Sequence, residues 1–369
     1  MEKTDILVIG GGIIGASATF FLSKGHVDVT LVDKSEIGRG ASGATAGSMS
    51  FQNKEQKLLP LVQESLSIWS SLQKEVEEDI EFRQPGGFRV AEDAHQFEAL
   101  RQSVFKQKEL GLRVELLSGR ELSAIGPYFG STVVAASFCE LDARSNPLTA
   151  STGLARAAQK RGAKIYENEE VKKISIEGIN RYLVETSKRS IQSSCVLNSA
   201  GVWSKNIFEM VGLNFPITLD PMQVMVTEQS SPIFSHIITH LKGNLTLKQV
   251  DSGNIVIGGG WKGIGDAGKN LKEVNYDSLK GNIQLACRVI PALQSLNLIR
   301  CWTGLEGRTP DHLPLLGRVN HLPNFFVATC AKGGYTLGPL LGRLASELIL
   351  TNKPSFPIED FNVNRLLSH

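Results

Sequence analysis

The stretch DILVIGGGIIGASATFFLSKGHVDVTLVD, residues 5–33, decides the fold of this 369-residue chain. Residues 5–10 are an apolar run of the length of a buried parallel strand. Gly10, Gly12 and Gly15 follow as G-x-G-x-x-G, with an apolar helix predicted over about residues 14–23 and a second strand over 28–32 ending at Asp33. Each part has a task in gripping a dinucleotide. Gly10 permits the tight turn, Gly12 lets a pyrophosphate reach the backbone, and Gly15 lets the helix pack close to the sheet. The helix N-terminus, at Ile13 and Ile14, points N–H groups and partial positive charge at the phosphates. Asp33 stands where a carboxylate accepts ribose hydroxyls. A purely structural Gly-rich turn would need none of this context, so a dinucleotide site is the expectation.

Composition narrows the rest. At 369 residues the chain exceeds what one core usually supports, so two closely packed domains are expected. The net charge is only +2, and no basic run interleaves with aromatics, which argues against nucleic acid. Five scattered cysteines (Cys139, Cys195, Cys287, Cys301, Cys330) form no C-x-x-C pair, so no metal or iron–sulfur site is expected within the chain. Such thiols fit a reducing cytoplasm. The N-terminal apolar stretch breaks into glycines and reads as a strand instead of a signal peptide. No apolar run approaches a membrane span, so any membrane association is expected through an electron acceptor.

The expected fold class is α/β: a Rossmann-like domain with an interleaved α+β substrate domain containing a mixed or antiparallel sheet. Residues 1–80, 146–215 and 300–369 are assigned to the first, and 81–145 with 216–299 to the second. Residues 58–77 and 95–110 have helical spacing, and a helix is predicted over 147–161. The run IEFRQPGGFRVAED reads as two short strands about a turn, as does GSTVVAASFCELDARSNP. Residues 215–299 read as antiparallel throughout.

Three further segments carry chemistry. Residues 40–47, GASGATAG, offer small side chains, the Ser42 hydroxyl and flexible backbone directly after the ribose-binding acid. Residues 196–204, VLNSAGVWS, are a buried strand entering a turn at Ala200-Gly201. Near the C-terminus, CWTGLEGRTPD (301–311) precedes PLLG (314–317) and the turn AKGGYTLGP (331–339), where a helix begins just after paired glycines. Its dipole is suited to stabilising negative charge on a reduced ring. Taken singly, a turn-rich loop, an ordinary strand-to-helix turn and a plain helix start are the bland readings of the three.

Together, and in this order along essentially the whole chain, the segments resemble the FAD-dependent D-amino-acid-oxidase-like superfamily, in its glycine and sarcosine oxidase branch. Within it the chain looks most like the FAD-carrying subunits of heteromeric opine (octopine or nopaline) oxidases and hydroxyproline dehydrogenases. The resemblance implies that Gly10, Gly12 and Gly15 hold the FAD pyrophosphate and Asp33 the adenosine ribose. Ser42 and Gly43 are implied near the flavin and its phosphates, with Val171 meeting the adenine through its backbone. Ala200, Gly201 and Trp203 would line the cofactor, and Gly333, Gly334, Tyr335 and Thr336 would close over the pyrimidine edge of the isoalloxazine. Ile13, Ile14, Lys34, Gly47 and Gly304 are expected in the same cradle. The implied reaction oxidises a C–N bond of a small amino-acid substrate by hydride transfer to flavin N5, with water hydrolysing the imine.

Two departures stand out. Glycine-oxidase-like relatives carry an Arg after W-x-G-L, where it pairs with the substrate carboxylate; here the position is Glu306, with Arg308 two residues on. Glu306, Arg308 and Tyr335 are the candidate substrate-contacting residues. In monomeric sarcosine oxidases the flavin-attaching cysteine stands seven residues before the T-x-D aspartate, which is Gly304 here, so non-covalent FAD is expected. Partner subunits would carry an iron–sulfur centre or second flavin. The alternatives are a stand-alone glycine, sarcosine or D-amino-acid oxidase using oxygen, a non-catalytic flavin electron-transfer subunit, and an NAD-dependent dehydrogenase.

Overall fold

In the computed structural model, described for all residues except 179, 243, 330–332 and 368–369, the first strand is Glu2–Ile9. Cys330 and residues 331–332 of the C-terminal turn therefore lie outside the described residues. Leu7 and Val8 are fully buried in the two hydrophobic clusters on opposite faces of the sheet, and the strand pairs in parallel on both sides, with Val29–Val32 and Ser190–Asn198. A strand enclosed on both faces has no use for alternation, which is why Ile6, Leu7, Val8 and Ile9 are apolar in succession. The full order in this sheet is Leu315–Arg318, Phe325–Thr329, Ser190–Asn198, Glu2–Ile9, Val29–Val32 and Lys164–Tyr166, with the hairpin Val171–Ile176 and Tyr182–Thr186 branching from Ser190–Asn198. Ile9 is in register with both Val32 and Asn198, so Gly10, Asp33 and Ser199 leave the sheet at one edge. Ligands of open parallel sheets bind at that edge.

Gly10 turns the chain at φ 103°, a conformation that disfavours any side chain. The helix Ile13–Leu22 follows, and a Cβ on Gly15 would overlap the Gly10 carbonyl. The C-terminal helix Gly334–Thr351 crosses it closely: a Cβ on Gly342 would meet Ser17 Cβ and the Ala18 nitrogen. Helices Leu59–Glu75 and Pro147–Lys160 complete the layer over the sheet.

The second sheet runs Leu298–Arg308, Thr218–Gln229, Asn254–Gly258, Thr246–Gln249, Ile237–His240, Gly87–Ala91, Ala135–Cys139 and Val114–Ser118. All its pairs are antiparallel except Ile237–His240 with Gly87–Ala91, so it is mixed. Phe88, Val90, Leu247, Ile255 and Ile257 pack in one core with Leu285, Ala286 and Val289 of the helix Tyr276–Val289. The other face looks toward the first domain. Three details differ from expectation. The second sheet keeps the chain until Arg308, not 300, because Thr218–Gln229 supplies a long antiparallel partner from Thr218↔Arg308 to Thr227↔Leu298. The helix Tyr276–Val289 interrupts the region read as antiparallel. Of the two strands expected in IEFRQPGGFRVAED only Gly87–Ala91 forms, the earlier residues adding a single bridge, Arg83↔Arg144.

Among the described residues no helix is long and apolar enough to cross a membrane, and no group of His, Cys, Asp and Glu is disposed to hold a metal.

Candidate functional site

A cavity of about 1100 Å³ runs between the sheets, beyond the roughly 300–1,000 Å³ of usual small-ligand pockets. Its first end is built by the strand edge. The Asp33 carboxylate accepts from the Gly11 N–H at 2.6 Å and the Ser35 N–H at 2.7 Å. Burial raises its pKa above the usual carboxylate range against the pull of those donors. Glu169 and Val171 line the same end, the Glu169 carboxylate being fixed by the Thr186 hydroxyl at 2.6 Å and Arg189 Nε at 2.9 Å.

In the middle lie Gly12, Ile13, Ile14 and Ser42. The Ser42 hydroxyl accepts from the Ile13 N–H at 2.9 Å, so the loop after the acid caps the helix that the glycine motif opens. A Cβ on Gly12 would sit 3.0 Å from that hydroxyl, at the cavity wall. Ala200, Gly201 and Trp203 form the opposite side. Trp203 donates from Nε1 to the Ala267 carbonyl at 2.9 Å, and Lys34 Nζ lies 3.4 Å from its ring centroid. The hairpin of Ile264–Asp266 with Leu271–Glu273 thus reaches across the cavity to Trp203.

The far end meets the second sheet. Gly304 and Glu306, with Arg308, line it from Leu298–Arg308, facing Gly333, Gly334 and Thr336 at the start of the C-terminal helix. Gly304 lets its strand pass the short helix Ala41–Ala44, where a Cβ would touch Ala44 Cβ at 2.6 Å. Arg308 pairs with Asp220 through Nε and with Glu306 at 3.3 Å, and Lys262 also pairs with Asp220. Burial raises the Glu306 pKa, opposed by Arg308, Lys54 and the Gly333 N–H.

Not every expected residue faces this space. Gly15, Gly43 and Gly47 lie behind the wall: Cβ atoms there would overlap the backbone of Gly10, Gly38 and Ser145. They permit close packing of the elements that form the cradle. Tyr335 lines the cavity, but its hydroxyl sits 2.7 Å from Ser145 Oγ, a residue outside the lining, and its ring packs against Trp69. Burial holds that phenol well above its ordinary pKa. Cys301 is also absent from the lining. Sequence reasoning missed Ser199, Glu169, Arg89 and the 264–273 hairpin. Ser199 was within the strand motif, and its Oγ is buried at the cavity wall without a hydrogen-bond partner.

This fold and cavity define a dinucleotide-binding protein. The chain belongs to the DAO family of FAD-dependent oxidoreductases, whose profile matches residues 5–348. It is 25% identical to the B subunit of opine oxidase from Rhizobium meliloti over 99% of this chain and 98% of that protein. It is 23% identical to mitochondrial dimethylglycine dehydrogenase of Mus musculus over 99% of this chain, but spans only 44% of that relative's length. Among solved structures, glycine oxidase from Geobacillus kaustophilus superposes with a TM-score of 0.92 at 22% identity, covering 99% of each chain. L-proline dehydrogenase from P. horikoshii superposes at 0.88 with 28% identity, covering 99% of this chain and 98% of that one.

FAD is the cofactor, and the cavity fits it. The side-chain-free face of Gly12 at a helix N-terminus suits a pyrophosphate. The buried Asp33 oxygens retain lone pairs for hydroxyl groups. The unpartnered Ser199 hydroxyl lies where a polar group of the cofactor would satisfy it.

Proposed function

We propose that this chain oxidises the C–N bond of an amino acid bearing a secondary amine, an opine such as octopine or nopaline or a proline or hydroxyproline type, and delivers the electrons to partner subunits. The observation that carries this reading is the far end of the cavity, where the glycine turn at Gly333–Gly334 faces the charged wall of Glu306 and Arg308. Bound FAD supplies the acceptor for the hydride that leaves the substrate's α-carbon. The nitrogen lone pair forms the C=N bond as that hydride departs, the N–H proton is released, and water then hydrolyses the imine to a carbonyl compound and an amine.

The chain's own part is binding and orientation. Holding the α-C–H bond at a fixed site removes much of the entropic cost of the step. No histidine lines the cavity among the described residues, and a neutral secondary amine needs no strong side-chain base. The C-terminal helix presents its N-terminus to this end of the cavity, a favourable potential for negative charge.

Likeness to the B subunit of opine oxidase over nearly its whole length supports the substrate class and a heteromeric assembly. Partner chains would then supply the iron–sulfur centre or second flavin. A dye-linked assay of the FAD-loaded chain tests the reading. One equivalent of carbonyl product per two electrons is expected with octopine, nopaline, proline, hydroxyproline or sarcosine. Turnover with oxygen alone, at the rate seen with the dye, would favour a stand-alone oxidase; no turnover with any amine would remove the proposal.

A further inference from the structure

We propose that Arg89, and not Arg308, holds the carboxylate of the substrate; this rests on the C–N oxidation proposed above. Arg89 stands in Gly87–Ala91, where alternation sends Phe88 and Val90 into the core of the second sheet. It therefore shares the cavity face with Thr239, its register neighbour, and both line the cavity. Its guanidinium is pinned. Nη1 donates to the Gln52 carbonyl at 2.9 Å and to Ser103 Oγ at 3.4 Å, and Nη2 to the Leu241 carbonyl at 3.0 Å. These acceptors are all uncharged, and Nε is buried without one. Asp142 acts on Arg89 only from a distance, being held by the Phe51 N–H at 2.7 Å and the Ser50 hydroxyl at 2.8 Å.

Arg308 is the opposite case, already matched by Asp220 and Glu306. A substrate anion brought to Arg308 meets the Glu306 carboxylate, whereas Arg89 is a pre-positioned cation whose hydrogen bonds, among the described residues, all go to uncharged oxygens. There is room for it. A side pocket of about 180 Å³ opens beside the main cavity, the two sharing Asn53, Lys54, Glu55 and Arg89, with Lys106 and Gln107 further along its wall. Asn53 Oδ1 at this junction is also buried without a partner, an acceptor that the substrate's N–H, not its carboxylate, would satisfy.

The test titrates pyrrole-2-carboxylate, a planar anion without an oxidisable α-C–H bond, into the oxidised FAD-loaded chain and follows the flavin absorbance. Arg89→Met should raise its Kd by roughly tenfold to a hundredfold, the loss of a charge-assisted contact. Arg89→Lys should recover a large part of the binding. Equal FAD content and thermal midpoints would separate these effects from damage to the fold, with Arg89→Lys carrying the test if Arg89→Met does not fold. Unchanged binding by Arg89→Met, loss confined to Arg308→Met, or no response of the wild type would overturn the proposal. The oxidation reading is judged separately. An amine that reduces the flavin in wild type and Arg89→Met with the same KM removes Arg89 and leaves the oxidation standing. Arg89-dependent binding of the probe with no amine oxidised supports the carboxylate site and removes the oxidation.

Discussion

At the scale of single residues, the missing side chain of Gly12 is what keeps the wall beside Ser42 open. Gly12→Val should raise the Kd for FAD at least about tenfold, read from the flavin-to-protein absorbance ratio after gel filtration; full retention would detach the motif from the cofactor. Lys248 gives a pH signature. It is buried on Thr246–Gln249, donates to the Ser145 carbonyl at 2.9 Å, and burial depresses its pKa from 10.5 to about 7. Between those values the unfolded chain holds a proton that the native chain has shed, so stability rises with pH above about 7 and the full penalty is present below it. Lys248→Met should flatten that rise by about 1–2 kcal/mol between about pH 7 and pH 9, measured from urea midpoints. An identical slope in both proteins would show that Lys248 titrates normally. The glycine motif, Asp33 and Ser42 were legible in the sequence because each has a local reason for its residue type. Arg89 was not, since in FRV it is one more polar residue in an alternating strand. Its meaning comes from Gln52 and Leu241, 37 and 152 residues away.

Elements show the same division. The strand Glu2–Ile9 and helix Ile13–Leu22 could be read from pattern, because burial on both faces makes Ile6, Leu7, Val8 and Ile9 a continuous apolar run and leaves only small hydroxyl residues among the buried polar groups of the helix. The helix Tyr276–Val289 was missed, its apolar stripe of Leu285, Ala286 and Val289 being short and flanked by Gly281 and Asn282. Gly281 tolerates its place by packing against the Trp261 ring. The hairpin at 264–273 was also invisible, since its three-residue strands gain their meaning only where the Ala267 carbonyl receives Trp203. Trp203→Phe keeps the ring and removes that bond. It should speed FAD release several-fold, followed by flavin fluorescence after dilution, with little change in thermal midpoint, since one neutral hydrogen bond contributes about 1 kcal/mol. An unchanged release rate would mean that the hairpin does not clasp the cofactor end.

Across the whole molecule, two sheets divide the work. The first sheet, parallel at its centre, sets a dinucleotide along its C-terminal edge, and the second contributes Glu306, Arg308 and Arg89 to the cavity wall. The chain passes between them several times. The boundary at Arg308 was the least legible part, because Leu298–Arg308 carries no local sign of which sheet it joins; only the pairing with Thr218–Gln229 decides it.

The most direct measurement is an anaerobic absorbance titration of the FAD-loaded chain with octopine, nopaline, proline, hydroxyproline, sarcosine and glycine. Stoichiometric bleaching of the flavin by a secondary amine is the expected result, slowed when the α-hydrogen is replaced by deuterium. A flavin that none of these amines bleaches would contradict C–N oxidation in this cavity.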